Sequence, residues 1–229
     1  MMSYNLKQNN VNPTLPSLLI NGHNLTDQKI RNVMIRQLFV QELYPYLSNR
    51  LSILQFFSKK EAENLKSKFF KFPIAPKAKE VHFKILNKVY PSSEFLRNRF
   101  NLDHNNCLFC EENIETTDHL FYECKFVDVF WNDLYDWLFP KVPNLSILSK
   151  ENILYGVCVQ DSSHDLVINT IIILGKFFIH KNKFSKSKPI FSVFHKELCL
   201  YFSSLKCMRK KIAIKLYTLV EEFDLAHDP

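Results

Sequence analysis

The chain has 229 residues, of which 46% are hydrophobic and 14% aromatic, and this composition excludes an intrinsically disordered protein. Its 30 Lys and Arg outnumber its 23 Asp and Glu, which gives a formal net charge of +7, and it contains only three glycines. Hairpin turns commonly need glycine at positive φ, so this scarcity favours a mainly α-helical fold.

The first 26 residues are rich in Asn and Pro, and we expect them to form a flexible N-terminal arm. The stretch from Met1 to Asn12 is polar and shows no signal peptide, so the sequence predicts a cytoplasmic or nuclear protein that is not secreted. In a reducing compartment, clustered cysteines favour metal binding over disulfide formation.

Residues 27–74 are predicted to form a helical segment. Apolar residues at helical spacing indicate a first helix from Asp27 to about Pro45. Ser58 and Glu61 have the spacing of a capping box, in which each side chain accepts a hydrogen bond from the other residue's backbone N–H. This box would open a second helix.

A zinc-binding domain is predicted over residues 75–140. It would begin with a basic helix that carries Val81, Ile85 and Val89 on its apolar side, and Pro91 would end this helix. The segment that follows holds the chain's most specific pattern of side chains.

That pattern is C-x2-C-x8-H-x4-C, formed by Cys107, Cys110, His119 and Cys124. Thiolate and imidazole donors suit Zn2+, which is four-coordinate and tetrahedral in structural sites. Four protein ligands leave no position for a reactive water, so the sequence predicts one structural Zn2+. His104 is an alternative ligand, but the pair His119 and Cys124, near the start of a predicted helix, has the better spacing.

Catalysis by Cys107 or Cys110 with His119 is a weaker interpretation, because a zinc-bound thiolate would have no free base beside it. Deaminase chemistry is also not indicated, because no H-x-E motif accompanies the Cys pair. The other cysteines stand singly in apolar helical patterns and are interpreted as small buried residues: Cys158, Cys199 and Cys207.

Residues 141–229 are predicted to form a basic helical C-terminal region. The apolar run from Leu166 to Ile179 is too short to cross a membrane and indicates a buried helix, so no membrane partner is expected. A long amphipathic helix is predicted from Pro189 to about Asp224, with Pro189 in its first turn.

Charge is distributed unevenly along the chain. Residues 176–215 hold eleven Lys or Arg against one acid, Glu197, whereas residues 111–136 hold eight acids. We expect a flexible basic loop at residues 180–188 and the basic face of the long helix to bind RNA or DNA, with a merely solvated surface as the alternative. The predicted nucleic-acid-binding residues are Lys181, Lys183, Lys186, Lys188, Lys206, Arg209, Lys210, Lys211 and Lys215.

The ligand run, with His119-Leu-Phe-Tyr-x-Cys124 and then Phe130-Trp131, resembles the zinc-binding region at the C-terminal end of reverse transcriptases from LINE-type non-LTR retrotransposons. Flanking segments extend the resemblance over about residues 27–215. It implies a tail that holds template RNA or target DNA beside an upstream reverse transcriptase domain of a related element. The chain has no adjacent Asp-Asp pair, so we expect a fragment or truncated copy without polymerase or endonuclease activity.

A zinc-stabilised protein–protein interaction module is the alternative function. The acidic helix that follows Cys124 carries Trp131, Tyr135 and Trp137, and Trp and Tyr often anchor interfaces. Nucleic-acid binding measurements distinguish this alternative from the nucleic-acid-binding tail.

Overall fold

A computed structural model describes residues 19–20, 23–24, 53–103, 106–142, 145, 147–158 and 162–226, and the chain divides into two compact units, residues 1–51 and residues 52–229. In the first unit, β1 (Leu19–Ile20) pairs antiparallel with β2 (His23–Asn24). The rest of the predicted arm, the predicted helix of residues 27–45 and the alternative ligand His104 lie outside the described residues. The predicted domain boundaries stay predictions.

The second unit is mainly α-helical, as the sequence predicted. Its helices are α1 (Ile53–Phe56), α2 (Lys59–Lys68), α3 (Pro76–Leu86), α4 (Ser93–Phe100), α5 (Lys125–Leu138), α6 (Lys150–Tyr155), α7 (Ser162–Ser185), α8 (Phe191–Leu205) and α9 (Lys211–Glu222). A 3-10 turn (Phe69–Lys71) follows α2, and a π-helical turn (His119–Glu123) precedes α5. None of the helices in this described part has the length and hydropathy needed to cross a membrane.

The predicted capping box opens α2. Ser58 Oγ accepts a hydrogen bond from the Glu61 N–H at 3.4 Å, and Glu61 Oε2 accepts one from the Ser58 N–H at 2.8 Å. These two bonds satisfy backbone donors that have no partner within the helix. Leu65 on α2 lies in the core.

Helix α7 lies at the centre of the second unit and packs against α3, α8 and α9. Most of its apolar side chains face these neighbours, and Val167, Ile171, Ile172 and Ile179 are completely buried, whereas Phe184 near its C-terminal end is exposed. The predicted buried helix is therefore confirmed, and it runs from Ser162 to Ser185.

Polar and small residues interrupt the apolar run of α7, and each has a structural role. The Asn169 side chain binds both the N–H and the C=O of Val157, at 2.7 Å each. Thr170 Oγ1 donates to the Leu166 carbonyl within the helix. A Cβ on Gly175 would lie 2.8 Å from the Trp131 ring, so this glycine permits the close approach of α5.

Lys176 is the most unusual of these residues because its side chain is completely buried. Its Nζ lies 2.6 Å from His82 Nδ1 on α3 and donates to the Leu154 carbonyl on α6 at 3.1 Å. Burial lowers the pKa of Lys176 well below its usual range, and burial together with Lys176 does the same to the pKa of His82. This buried lysine and histidine thus join three helices.

Helix α3 ends at Leu86, so the prediction that Pro91 ends it is wrong. Lys88 adopts the left-handed conformation with φ 51°, and the Val89 N–H bonds to the Lys84 carbonyl at 2.9 Å. This Schellman motif satisfies the last carbonyls of the helix before the proline is reached.

The same motif ends α7 and corrects a second prediction. Lys186 has φ 54°, and the Ser187 N–H bonds to the Asn182 carbonyl at 3.0 Å. The predicted flexible loop of residues 180–188 is therefore helical as far as Ser185, and only its last three residues follow the helix.

The predicted long C-terminal helix is two helices, α8 and α9, separated at residues 206–210. A single helix over residues 189–224 would be about 54 Å long, which exceeds the ~30 Å diameter of a small domain. The break lets both helices pack against α7. Ile190 is the N-cap of α8, so Pro189 precedes the helix and does not occupy its first turn.

The predicted apolar stripe is nevertheless on the inside of both helices. Its buried or half-buried members are Phe194, Leu198, Tyr201, Leu205, Met208, Ile212, Leu216, Leu219 and Phe223.

Candidate metal centre and basic surface

Three thiols and one imidazole converge in the segment that links α4 to α5. One ligand atom from each of Cys107, Cys110, His119 and Cys124 lies within 4.8 Å of all the others. Cys107 Sγ is 3.8 Å from Cys124 Sγ, and Cys110 Sγ is 3.3 Å from His119 Nε2. The four side chains are largely buried.

These separations fit tetrahedral coordination of zinc. With Zn–S bonds of ~2.3 Å and Zn–N bonds of ~2.0 Å, two sulfur ligands lie ~3.8 Å apart, and a sulfur and a nitrogen ~3.5 Å apart. The observed 3.8 Å and 3.3 Å are close to these values. The group can therefore hold a metal ion, and its soft donors suit zinc.

A tight loop positions the first two ligands. The Cys107 N–H bonds to the Asn113 carbonyl, and the Glu111 N–H bonds back to the Cys107 carbonyl, each at 2.8 Å. Glu111 takes the left-handed conformation with φ 59°, which reverses the chain direction. Cys107 and Cys110 therefore point to the same side of the loop.

The π-helical turn positions the other two ligands. In an α-helix, residues five apart are rotated by about 140° around the axis, so His119 and Cys124 would point in different directions. Here the Cys124 N–H bonds to the His119 carbonyl at 2.9 Å, the i to i+5 bond of a π-helix, and Cys124 returns above His119. The predicted helix start near this pair is therefore a π-helical turn, and the regular helix begins at Lys125. Thr116 Oγ1 caps the turn by accepting the His119 N–H.

Hydrogen bonds prepare the thiols to bind a cation. The contact with the Cys124 thiol lowers the pKa of Cys107, and the N–H groups of Cys110 and Phe109 lower it further. The same contact raises the pKa of Cys124, whose sulfur also receives the N–H groups of Phe126 and Val127. Backbone donors aimed at sulfur stabilise thiolates, which are the form that binds metal.

The core holds the ligand turn in place. Phe121 is completely buried, and its carbonyl accepts a hydrogen bond of 2.8 Å from Trp131 Nε1 on α5. Trp131 is only 3% exposed, so it belongs to the core and cannot anchor a partner protein. Tyr135 and Trp137, the other two anchors of the alternative function, are half-buried.

Lysines from outside the acidic metal segment neutralise several of its carboxylates. Lys183 Nζ lies 2.6 Å from Glu115, and their side chains are 13% and 4% exposed. Lys150 bridges Asp118 at 2.8 Å and Glu123 at 2.6 Å. Burial alone would lower the pKa of Lys150, but the hydrogen bonds to these two carboxylates raise it.

The predicted nucleic-acid-binding residues divide into two groups. Four of them contact other side chains: Lys181 pairs with Glu197, Lys183 with Glu115, Lys188 lies over the Phe126 ring, and Lys206 lies over the Tyr217 ring. The other five are exposed and form no ion pair with any described residue: Lys186, Arg209, Lys210, Lys211 and Lys215.

The remaining cysteines are less buried than the sequence predicted. Cys158 and Cys199 are half-buried, and Cys207 is exposed in the break between α8 and α9. The apolar pattern continues across this break, so helical spacing alone predicts a buried position for Cys207.

Comparison with known proteins agrees with the metal centre. Residues 48–131 match a family described as zinc-binding in reverse transcriptase, and the matched range contains all four clustered residues. No curated protein matches the chain. The donor set and the family description both point to zinc as the metal.

Proposed function

We propose, on the premise that residues 48–131 form a reverse transcriptase zinc-binding domain, that the chain is a nucleic-acid-binding tail held together by one structural zinc ion. Cys107, Cys110, His119 and Cys124 would hold this ion and close its coordination sphere. The tail would derive from a LINE-type retrotransposon and act beside an upstream reverse transcriptase domain, in the cytoplasm or the nucleus. It would have no polymerase or endonuclease activity of its own.

The observation that carries the proposal is the group of exposed cations around the start of α9. Arg209, Lys210 and Lys211 are consecutive and exposed, and no described acid pairs with them. Helix N-termini are positively polarised and normally attract acidic residues. Helix α9 has the reverse arrangement, because the basic residue Lys211 begins it and the acidic residues Glu221 and Glu222 lie at its C-terminal end. Such a concentration of positive charge favours a polyanion.

The metal centre and the basic surface would have separate tasks. Salt bridges with Lys183 and Lys150 occupy three carboxylates of the metal segment, and that segment would contribute stability. The phosphate contacts would come from the exposed cations of residues 186–215. Binding of RNA or DNA would therefore depend on these cations even when zinc remains bound.

Charge replacement tests the proposal. A variant with Lys186, Arg209, Lys210 and Lys211 changed to Gln keeps the apolar faces of α8 and α9, so it should fold normally. Each lost phosphate contact reduces the slope of log K against log salt by about 0.7 for single strands and about 0.9 for duplex DNA. We therefore expect a slope smaller by about 3 with single-stranded RNA and by about 3.5 with duplex DNA, measured by fluorescence anisotropy.

The matched control changes Lys59, Lys60, Lys88 and Arg97 to Gln, which removes the same charge from other exposed positions. If location matters, the control should bind nearly as well as the wild type. Equal affinity and equal salt slope in the wild type and the first variant would refute the proposal, and the protein-interaction module would then be favoured.

A further inference from the structure

A cavity of about 290 Å³ opens between α2, the 3-10 turn, α6, α7 and α9, and none of the four metal-ligand residues lines it. Its walls are mostly aromatic and aliphatic, with Phe69, Phe72 and Tyr155 among the lining residues. Ligand pockets usually measure ~300–1,000 Å³, so this cavity suits a ligand of one ring system.

Three lysines from three different elements surround this cavity. Lys68 comes from α2, Lys71 from the 3-10 turn and Lys215 from α9, and all three are exposed. No described acid forms an ion pair with them, and one carboxylate, Asp165, lines the cavity with them. An apolar, aromatic interior with a cationic rim complements a planar ring that is attached to phosphate.

The polar groups inside the cavity are already oriented. The Asn169 amide is fully engaged with the Val157 backbone. Lys176 Nζ lies 2.6 Å from His82 Nδ1 and donates to the Leu154 carbonyl at 3.1 Å, so the His82 ring is held in place by α6 and α7. The cavity therefore presents a fixed imidazole ring among its aromatic walls.

The cavity is continuous with the basic surface described above. Lys215 is one helical turn beyond Lys211 on α9. Next to the cavity residue Phe69, Phe70 is 54% exposed and its carbonyl accepts a hydrogen bond from the Lys79 ammonium. Burial, and then the nearby Lys210, lower the pKa of Lys79. The Phe70 ring is stacked 4.2 Å from the cavity residue Phe69.

We propose that this cavity accepts one unstacked base of a single-stranded nucleic acid, with Lys68, Lys71 and Lys215 on the phosphates beside that base. This inference rests on the proposed function, because it names the form of nucleic acid and the place where a base enters. Exposed Phe70 would stack against the neighbouring base. Duplexes, whose bases are already stacked, would contact only the basic surface.

A comparison of two strands tests the base site. One probe is a ten-residue thymidine strand, and the other is the same strand with every base removed. The abasic strand keeps all phosphates, and no position along it can place a base in the cavity. The wild type should bind the thymidine strand roughly ten-fold more tightly. A ten-residue uridine RNA and its abasic form repeat the test for RNA.

Asn64 lines the cavity from α2 and is half-buried, so Asn64→Trp should fill the cavity while Asn64→Ala leaves it open. We expect Asn64→Trp to reduce the ten-fold preference to less than three-fold and Asn64→Ala to retain it. Cys158→Leu fills the cavity from another wall and replaces Asn64→Trp if that variant melts early. Changing the three rim lysines to Gln should weaken both strands and reduce the salt slope by about 2.

Each outcome separates the two proposals. Equal wild-type affinity for the thymidine and abasic strands, or a preference that survives in Asn64→Trp, overturns the base site and leaves the phosphate-binding surface intact. If the wild type binds neither the thymidine strand nor the abasic strand, both proposals are overturned. If thymidine monophosphate displaces the thymidine strand at a concentration equal to that of the strand, the ligand of the cavity is a free nucleotide. The proposal of a single-stranded ligand is then overturned.

Discussion

Replacing Cys110 by Ser removes one of the three sulfur ligands, and we expect residues 106–138 to lose both the metal and their fixed structure. A structural zinc contributes about 10–16 kcal/mol of apparent binding free energy near neutral pH, which is comparable to the stability of a whole domain. The substitution also removes the contact of 3.3 Å between Cys110 and His119 and leaves the one of 3.8 Å between Cys107 and Cys124. One weak sulfur hydrogen bond does not replace four metal–ligand bonds.

The expected change in melting temperature follows from this linkage. Free zinc at about a thousand times its dissociation constant stabilises the folded state by about 4 kcal/mol. In a unit of this length, 1 kcal/mol shifts the melting temperature by about 2–4 °C, so chelation should lower that of the wild type by roughly 8–16 °C. Cys110→Ser should show the melting temperature of the chelated wild type whether or not zinc is added.

Three measurements read the state of the centre. Metal analysis gives the zinc content, cobalt substitution gives absorption bands that report tetrahedral sulfur coordination, and Trp131 fluorescence in a Trp137→Phe background reports the ligand turn. The Trp131 signal is informative because its Nε1 donates to the Phe121 carbonyl within that turn.

Two variants serve as controls. Cys207→Ser removes an exposed thiol outside the centre, and His104→Ala removes the alternative ligand. Both should keep one zinc per chain and the wild-type melting temperature. One zinc per chain and unchanged melting in Cys110→Ser itself would refute the assignment of the centre.

Three further predictions concern the fold around the centre. Lys183→Met leaves Glu115 buried without its partner and should cost about 3–5 kcal/mol in urea unfolding, whereas Lys181→Met, which breaks an exposed pair on the same helix, should cost less than about 1 kcal/mol. The variant Gly175→Ala gains about 1 kcal/mol of helix propensity, but it places a methyl group 2.8 Å from the Trp131 ring. We therefore expect a lower melting temperature than in the wild type. A higher melting temperature would show that the Trp131 ring can move. Burial, and then Lys183, lower the pKa of His180 to about 4, so below pH 6.5 the unfolded state takes up a proton before the folded state does, and stability falls towards pH 4. The variant His180→Gln should show a shallower fall in stability when urea unfolding is measured at pH 7.5, 6 and 5. An equal fall in the wild type and the variant would contradict this assignment.

The features that short-range chemistry determines were predictable from the sequence. The capping box needs only Ser58 and Glu61, and both of its hydrogen bonds form. The buried helix α7 was visible as an apolar run. The grouping of the four metal-ligand residues was visible in their spacing, because donor type and loop length decide whether such residues can converge.

The break between α8 and α9 was not predictable from periodicity. The apolar positions Leu205, Met208 and Ile212 continue the helical spacing across the break, and neither proline nor glycine interrupts residues 206–210. The advantage of the break is tertiary, since it allows two helices to bury their stripes against α7. Sequence spacing alone contains no information on that neighbour.

The partners of Lys183 and Lys176 were hidden for a similar reason. Glu115 and Lys183 are 68 positions apart, and His82 and Lys176 are 94 positions apart, so no local pattern connects them. Lys176 did give one signal, because it interrupts an otherwise apolar run. A lysine in such a position indicates a buried partner, and the identity of that partner depends on the fold.

Cys124 has two roles in adjacent structures, as a member of the metal-ligand group and as the N-cap of α5. Coordination would therefore fix the rotational phase of α5, since each added residue turns a helix by about 100°. Adding a single residue between Cys124 and Trp131 would swing the apolar face of α5 away from α7 even with zinc bound. The spacing between this cysteine and the tryptophan is thus as constrained as the spacing among the ligands themselves.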